Sequence, residues 1–181
     1  MINNKWSYLI IFVLLNILLY MFIELFHNSV PFHTYNYYNN SHHFIEDARI
    51  SNDKFSLTNA LGQYDAQWYL RNAVLGYPKN PIGEDLNDKS RMDGLSYNFF
   101  PLYSTLLSTS NLLLRNIEYS AFLVANILMI LNFFSLYYVV RKIFDRNIAV
   151  KTIFLLFLFP FSIFYRSYFS EGLFLFLLIW F

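Results

Sequence analysis

Tyr119–Val140, YSAFLVANILMILNFFSLYYVV, carries no charged residue, and Arg141 and Lys142 follow it at once. A run of that length and composition is a membrane-span candidate, because about 20 apolar residues of helix cross the hydrocarbon of a bilayer. Working outward, similar runs occupy Trp6–Phe26, Ile148–Tyr165 and Gly172–Phe181. Apolar residues gathered into blocks, with no alternation of period 2 or 3.6, point to helices surrounded by lipid. The expected fold class is all-α: a polytopic transmembrane helical chain with a long external loop that carries interfacial helices.

Composition agrees. Of 181 residues, 56% are hydrophobic, 22% aromatic and only 14% charged, which is low charge for a domain of this size. The net charge of +1 gives no footing for a nucleic-acid partner. With no cysteine, disulfides and cysteine-based zinc sites are excluded. A cleavable signal is a poor reading of Trp6–Phe26, because the run is too long and no small-x-small site follows.

Charge sets the expected orientation. Arg141, Lys142, Arg146 and Lys151 cluster around the short connection between two runs, and the positive-inside rule assigns that connection to the cytoplasm. Tyr119–Val140 then runs inward and Ile148–Tyr165 runs back out. The connection Arg166–Glu171 and the loop 27–98 are external, and the amino terminus is cytoplasmic. This requires Phe99–Leu114 not to span; Arg115, Asn116 and Glu118 directly after it favour a helix at the outer interface. Gly172–Phe181 covers about half a bilayer, and carbonyls ending in lipid are costly, so a longer protein is expected, with this chain its amino-terminal part.

The external segments hold the chemistry. His33–His43 is low in complexity, and its His42–His43 pair is a weak metal candidate. Pro78–Asp93 is acidic but lacks calcium-loop spacing. Between them, Asp65 stands where a helix over Ala66–Leu75 would begin, with Gly76 after it and Pro78 as a stop. Asp65 is therefore both a helix cap and a carboxylate placed to take a proton at a membrane surface. In that helix Tyr69, Ala73 and Tyr77 fall on one side, an apolar face for the interface. Trp68, Tyr69, Tyr103 and Tyr168 are expected at the interface or stacked on a sugar. Glu171 begins another helix after Ser170, suiting both a cap with dipole complement and a site role. Arg166 and Arg71 are the cations that could grip a phosphate, or else snorkel. Glu24 is an ionisable residue at membrane depth, whereas Asn16, Asn126 and Asn132 are expected to bond between helices.

Three stretches resemble the PIG-V-type mannosyltransferases, a family of GT-C membrane glycosyltransferases like GPI mannosyltransferase 2. Tyr64-Asp65-Ala66-Gln67-Trp68-Tyr69-Leu70-Arg71 with Gly76-Tyr77 resembles their W-D-x-x-W-Y-x-x-I-A-x-x-G-Y motif. Asn98-Phe99-Phe100-Pro101-Leu102-Tyr103 resembles F-F-P-L-Y-P, and Tyr168-Phe169-Ser170-Glu171-Gly172-Leu173-Phe174 resembles P-Y-[ST]-E-[SG]-L-F. The three occur in the family's order. Tyr64 stands where the family has Trp, and Arg166-Ser167 stand where it has a small residue and Pro.

The resemblance implies an inverting transfer of a hexose, mannose in the eukaryotic members. The donor is a polyprenyl- or dolichyl-phosphate sugar and the acceptor a lipid or glycan hydroxyl, as in GPI-anchor biosynthesis. Asp65 is then the base, and Glu171 orients the acceptor or supports Asp65. Arg166, Arg71, Trp68, Tyr69, Tyr103 and Tyr168 line the substrates. No metal and no cofactor is implied beyond the lipid-linked donor itself. Location follows as the plasma membrane in a prokaryote or the endoplasmic reticulum in a eukaryote. The competing expectation is a non-catalytic membrane subunit that needs a partner chain or further helices. A transporter is disfavoured, since the spans lack a file of charges and an internal repeat.

Overall fold

The structure is a computed structural model describing residues 5–29, 57–77 and 96–181. Every regular element among the described residues is helical. Helix α1 is Lys5–Phe26, α2 Leu57–Leu61, α3 Ala66–Leu75, α4 Pro101–Leu114, α5 Ile117–Ile143, α6 Arg146–Leu158 and α7 Glu171–Trp180. Short 3₁₀ turns stand at His27–Ser29, Ser96–Asn98 and Pro160–Tyr165. The sequences His33–His43 and Pro78–Asp93 lie outside the described residues.

Two helices, Trp6–Phe26 within α1 and Ile117–Ile143, are long and apolar enough to cross a membrane. At 1.5 Å per residue they measure about 33 and about 40 Å. They pack antiparallel. The Tyr20 hydroxyl donates to Asn126 Oδ1 at 3.3 Å, and the Phe12 and Phe133 rings lie 4.9 Å apart. Arg146 Nη2 donates to the Tyr8 hydroxyl at 3.0 Å, with the guanidinium 5.2 Å over the Tyr8 ring. The start of α1 and the basic connection therefore share one end of the bundle.

The ends of α5 are written locally. Asn116 Oδ1 accepts from the Tyr119 N–H at 3.0 Å, so a donor that the helix leaves unpaired is met. Glu118 lies in the first turn and Arg141 and Lys142 in the last, each complementing the helix dipole. Asp145 caps α6 in the same way, its Oδ1 accepting from the Ile148 N–H at 2.9 Å.

One expected span is not continuous. Ile148–Tyr165 divides at Phe159-Pro160: α6 ends at Leu158, Phe159 is extended, and a 3₁₀ turn follows. Proline has no N–H to give the helix, and its ring drives the preceding residue out of the helical region. The 13 residues of α6 measure about 20 Å, too short to cross about 30 Å of hydrocarbon. The chain turns back near the middle of the long helices instead. There Arg166 Nε donates to Asn16 Oδ1 at 2.6 Å, and Asn132 Nδ2 donates to the Gly172 carbonyl at 2.7 Å. From that level α7 runs alongside α5 in the same direction, ending with Trp180 Nε1 donating to Ser135 Oγ at 2.8 Å. The connection Arg166–Glu171, expected at the outer end, lies at mid-height.

Two apolar clusters divide the core. Phe12, Met129, Phe133, Ile153 and Phe157 close the basic half. Leu61, Tyr69, Leu70, Tyr103, Leu107, Ala121, Ala125 and Leu128 close the other, joining α2, α3, α4 and α5. Helix α4 buries Tyr103, Ser104 and Leu107 and turns Leu102, Leu106, Leu112 and Leu113 outward. Its outward side mixes these leucines with Thr105 and Thr109. The face of α3 that carries Tyr69 and Ala73 is buried in protein, not turned to an interface.

Candidate functional site

The loop between α2 and α3 is fastened to the loop before α7. The Tyr168 N–H donates to the Leu61 carbonyl at 3.1 Å. A Cβ on Gly62 would stand 3.0 Å from the Tyr168 ring, so this close approach needs glycine. Gln67 Nε2 donates to the Gly62 carbonyl and fixes the loop from the α3 side. Tyr64 holds φ of 56°, a left-handed backbone that costs a non-glycine residue about 1 kcal/mol. Strain of this kind gathers at functional sites.

Asp65 follows directly. It occupies the capping position, but its backbone is helical and its side chain makes no capping bond. Backbone groups close the first turn instead: Gln67 N–H to Tyr64 carbonyl at 3.0 Å, and Trp68 N–H to Asp65 carbonyl at 3.1 Å. The expected cap is therefore absent, and the exposed carboxylate is not committed to the helix.

Glu171 opens α7 on the facing segment. Ser170 makes no capping bond either; its Oγ shares a hydrogen bond of 2.7 Å with the Tyr69 hydroxyl. Desolvation raises the Glu171 pKa, a backbone hydrogen bond lowers it, and the Asp65 charge raises it further. Burial likewise raises the Tyr69 phenol, opposed by the Ser170 hydrogen bond and reinforced by the Glu171 and Asp65 charges. Two carboxylates and a phenol, from segments far apart in sequence, thus sense each other electrostatically.

The aromatic candidates are inside the protein. Trp68 stacks on Phe99 with centroids 5.7 Å apart, and Tyr69 meets Phe99 and Tyr103 edge-on at 5.2 and 5.1 Å. Trp68, Tyr69, Tyr103 and Tyr168 are all buried, so their rings build the site's wall where sugar platforms or interfacial anchors were expected. Among the described residues the Tyr103 and Tyr168 hydroxyls have no hydrogen-bond partner. Burial holds both phenols far above their ordinary range, with Glu171 adding to the effect on Tyr103 and Glu118 to that on Tyr168.

Arg166 departs most from expectation. It is only 4% exposed. Its Nη1 donates to the Ser162 carbonyl and Oγ at 3.0 and 2.6 Å, and its Nη2 to the Phe157 carbonyl at 2.9 Å. The physical reason is Pro160: the break leaves carbonyls at the end of α6 without helical partners, and the guanidinium supplies the donors. Arg71 lies half-buried on α3, engaged with neighbouring groups. Asn126 and Asn132 bond between helices as expected, whereas Asn16 accepts from Arg166 of the connection before α7 and donates to Phe12 of its own helix. Glu24 is exposed, its backbone carbonyl 2.6 Å from His27 Nδ1.

The sequence reading misses one feature. A cavity of about 360 Å³ is lined by Leu156, Phe159, Phe161, Phe164 and Tyr165, with Ser162 and Glu171 as its polar members. The density of phenylalanine around Pro160 was its only signal. Among the described residues no three of His, Asp or Glu come together so as to hold a metal. Comparison with protein-family models, with curated proteins and with solved structures gave no match.

Proposed function

We propose that this protein is a membrane glycosyltransferase of the PIG-V type, or the part of one that carries its catalytic carboxylates. It transfers a hexose, mannose by the resemblance, from a polyprenyl- or dolichyl-phosphate to a lipid or glycan hydroxyl. The observation that carries this reading is that Asp65 and Glu171 come near enough for the charge of one to act on the other. They come from two separate motif-like stretches, which the Tyr168–Leu61 bond and Gly62 press together. The Asp65 side chain caps no helix, and neither does that of Ser170.

In this reading Asp65 accepts the proton of the acceptor hydroxyl as that oxygen attacks the anomeric carbon. The bond to the lipid phosphate breaks, the configuration inverts, and the phosphate leaves with the bonding pair. Glu171 orients the acceptor. The unpaired hydroxyls of Tyr103 and Tyr168 are further points where a polar ligand atom or water is held. With Arg166 committed inside, Arg71 is the remaining cation of the two for the phosphate. The chain is placed as a multi-pass protein of the plasma membrane or the endoplasmic reticulum.

The test is transfer by the full chain in lipid vesicles, supplied with polyprenyl-phosphate mannose and a lipid-linked acceptor. Asp65→Asn abolishes transfer while insertion and folding persist; transfer retained by that variant overturns the assignment of the base. A second reading, a subunit completed by a partner chain, draws on the exposed apolar face of α7 at Phe174, Leu178 and Trp180. It predicts no transfer by the chain alone and recovery when the partner is co-expressed.

A further inference from the structure

We propose that the basic end of the bundle is a binding site for the phosphodiester headgroup of an anionic membrane lipid. Its cations are Arg141 and Lys142 at the end of α5, with Arg146 and Lys151 on α6. Arg141, Lys142 and Lys151 are exposed. Arg146 reaches across to α1 and donates to the Tyr8 hydroxyl, so the two helices of membrane length meet at this cluster. One carboxylate, Asp145, stands in the segment 141–151, and its Oδ1 accepts from the Ile148 N–H at the start of α6. The four cations are therefore not balanced within their own segment, and an approaching anion meets a positive field.

Two observations give this cluster headgroup depth. The uncharged run Tyr119–Val140 measures about 33 Å as a helix, close to the thickness of the hydrocarbon, and Arg141 follows it directly. Independently of charge, tryptophan and tyrosine from three helices gather at the same level. Trp6 meets Phe134 edge-on at 6.0 Å, and Trp180 stacks on Tyr138 at 6.2 Å. The Tyr8 and Tyr137 rings lie under Arg146 and Arg141 at 5.2 and 5.9 Å. Tryptophan and tyrosine collect where hydrocarbon gives way to headgroups.

Charge and depth together select the occupant. Ile143 and Phe144, 66% and 62% exposed, stand in the chain between the cations of α5 and those of α6. They give acyl chains an apolar surface beside the phosphate, which a soluble acidic segment would not use. A guanidinium grips phosphate oxygens with paired hydrogen bonds, and each cation near an anionic lipid surface adds about fivefold in affinity. A zwitterionic lipid brings its own cation with the phosphate and gains less. The inference rests on the membrane placement and not on sugar transfer, since no residue of the cluster belongs to the proposed transfer centre.

The experiment is equilibrium binding of tail-labelled phosphatidylglycerol to the purified full chain in dodecyl maltoside micelles, with phosphatidylcholine of the same tails for comparison. Saturable binding is expected, about tenfold tighter for phosphatidylglycerol. Lys142→Gln and Lys151→Gln should each weaken it about three- to fivefold, and the double variant about tenfold or more. Lys142→Arg and Lys151→Arg keep the charge and should retain binding. Both lysines are exposed, so none of these variants should move the thermal midpoint. Equal affinity for the two lipids, or binding indifferent to the double Gln variant, overturns the site. Displacement by glycerol phosphate or by a polyglutamate peptide as efficient as by unlabelled phosphatidylglycerol overturns the lipid assignment. Alkaline carbonate extraction from vesicles reads the membrane placement separately. A chain that washes out sinks that placement and the site with it, whereas an inserted chain without lipid selectivity sinks the site alone.

Discussion

Arg166 and Glu171 stand at the two ends of one short connection, and the fold treats them oppositely. Arg166 is buried and gives hydrogen bonds to a side chain of α1 and to groups around the break after α6. Glu171 is exposed, feels the charge of Asp65, and adds to the burial that raises the pKa of Tyr103. A charge whose bonds are met inside is scaffold, because removing it strands its partners. A charge held near another of its own sign carries a repulsive cost, which makes Glu171 a residue to test for function. The same contrast separates the halves of the bundle. The basic half is closed mainly by phenylalanine, aliphatic and methionine side chains with Tyr137, whereas the other half buries the Tyr103 and Tyr168 hydroxyls with no partner among the described residues.

The sharpest way to break this comparison is to exchange the effects. Asp65→Asn should lower transfer by a factor of about 10² to 10⁴ and leave the thermal midpoint in detergent unchanged. Arg166→Ala should do the reverse, costing about 3 kcal/mol or more of stability in reversible unfolding. Arg166→Lys should recover part of that, since an ammonium cannot reproduce the fork. An Arg166→Ala protein as stable as the parent but inactive would move Arg166 into the site.

Gly62→Ala tests the seam between the two carboxylate segments. The added methyl meets the Tyr168 ring at 3.0 Å, and either the ring or the loop must shift. The expected cost is about 1–3 kcal/mol, accompanied by weaker transfer. Unchanged stability and activity would mean that the seam does not set the site.

The pH dependence sharpens the reading of Glu171. Its pKa is raised above the ordinary 4.5, so the folded protein holds this proton more tightly than the unfolded chain. The stability it contributes is complete below about that value and is lost as pH rises through the raised one. Glu171→Gln should remove this decline, seen as a flatter plot of thermal midpoint against pH from the acid range upward. The smallest effect is that of Tyr69→Phe, which deletes the bond to Ser170 and should cost about 1 kcal/mol, visible in the same unfolding measurement.

Much of the helical framework is legible in the chain. Ala66–Leu75 with Gly76 after it is read correctly, because a helix of that length is punctuated by its own residues. Gly76 takes a positive φ of 74°, the conformation that such a stop requires. Polar residues within apolar runs announce Asn126 and Asn132 as links between helices, since a lone amide among apolar side chains has few other partners; Asn16 instead holds Arg166 of the connection. The Asp65 cap is misread because backbone bonds from Tyr64 and Asp65 closed the first turn without it. The break in Ile148–Tyr165 is signalled by Pro160, yet apolar composition alone reads as an unbroken span.

By itself, then, the sequence determined the helical class of the described residues, the two longest apolar helices, the bounds of Ala66–Leu75 and the carboxylates worth testing. These rest on local physics: runs of apolar residues and the punctuation of glycine and proline. Only the tertiary structure decided that Asp65 and Glu171 come near enough to act on each other, that Arg166 turns inward, and that phenylalanines around Pro160 wall a cavity. Each of those depends on where a remote segment packs, and the identity and spacing of neighbouring residues do not specify that.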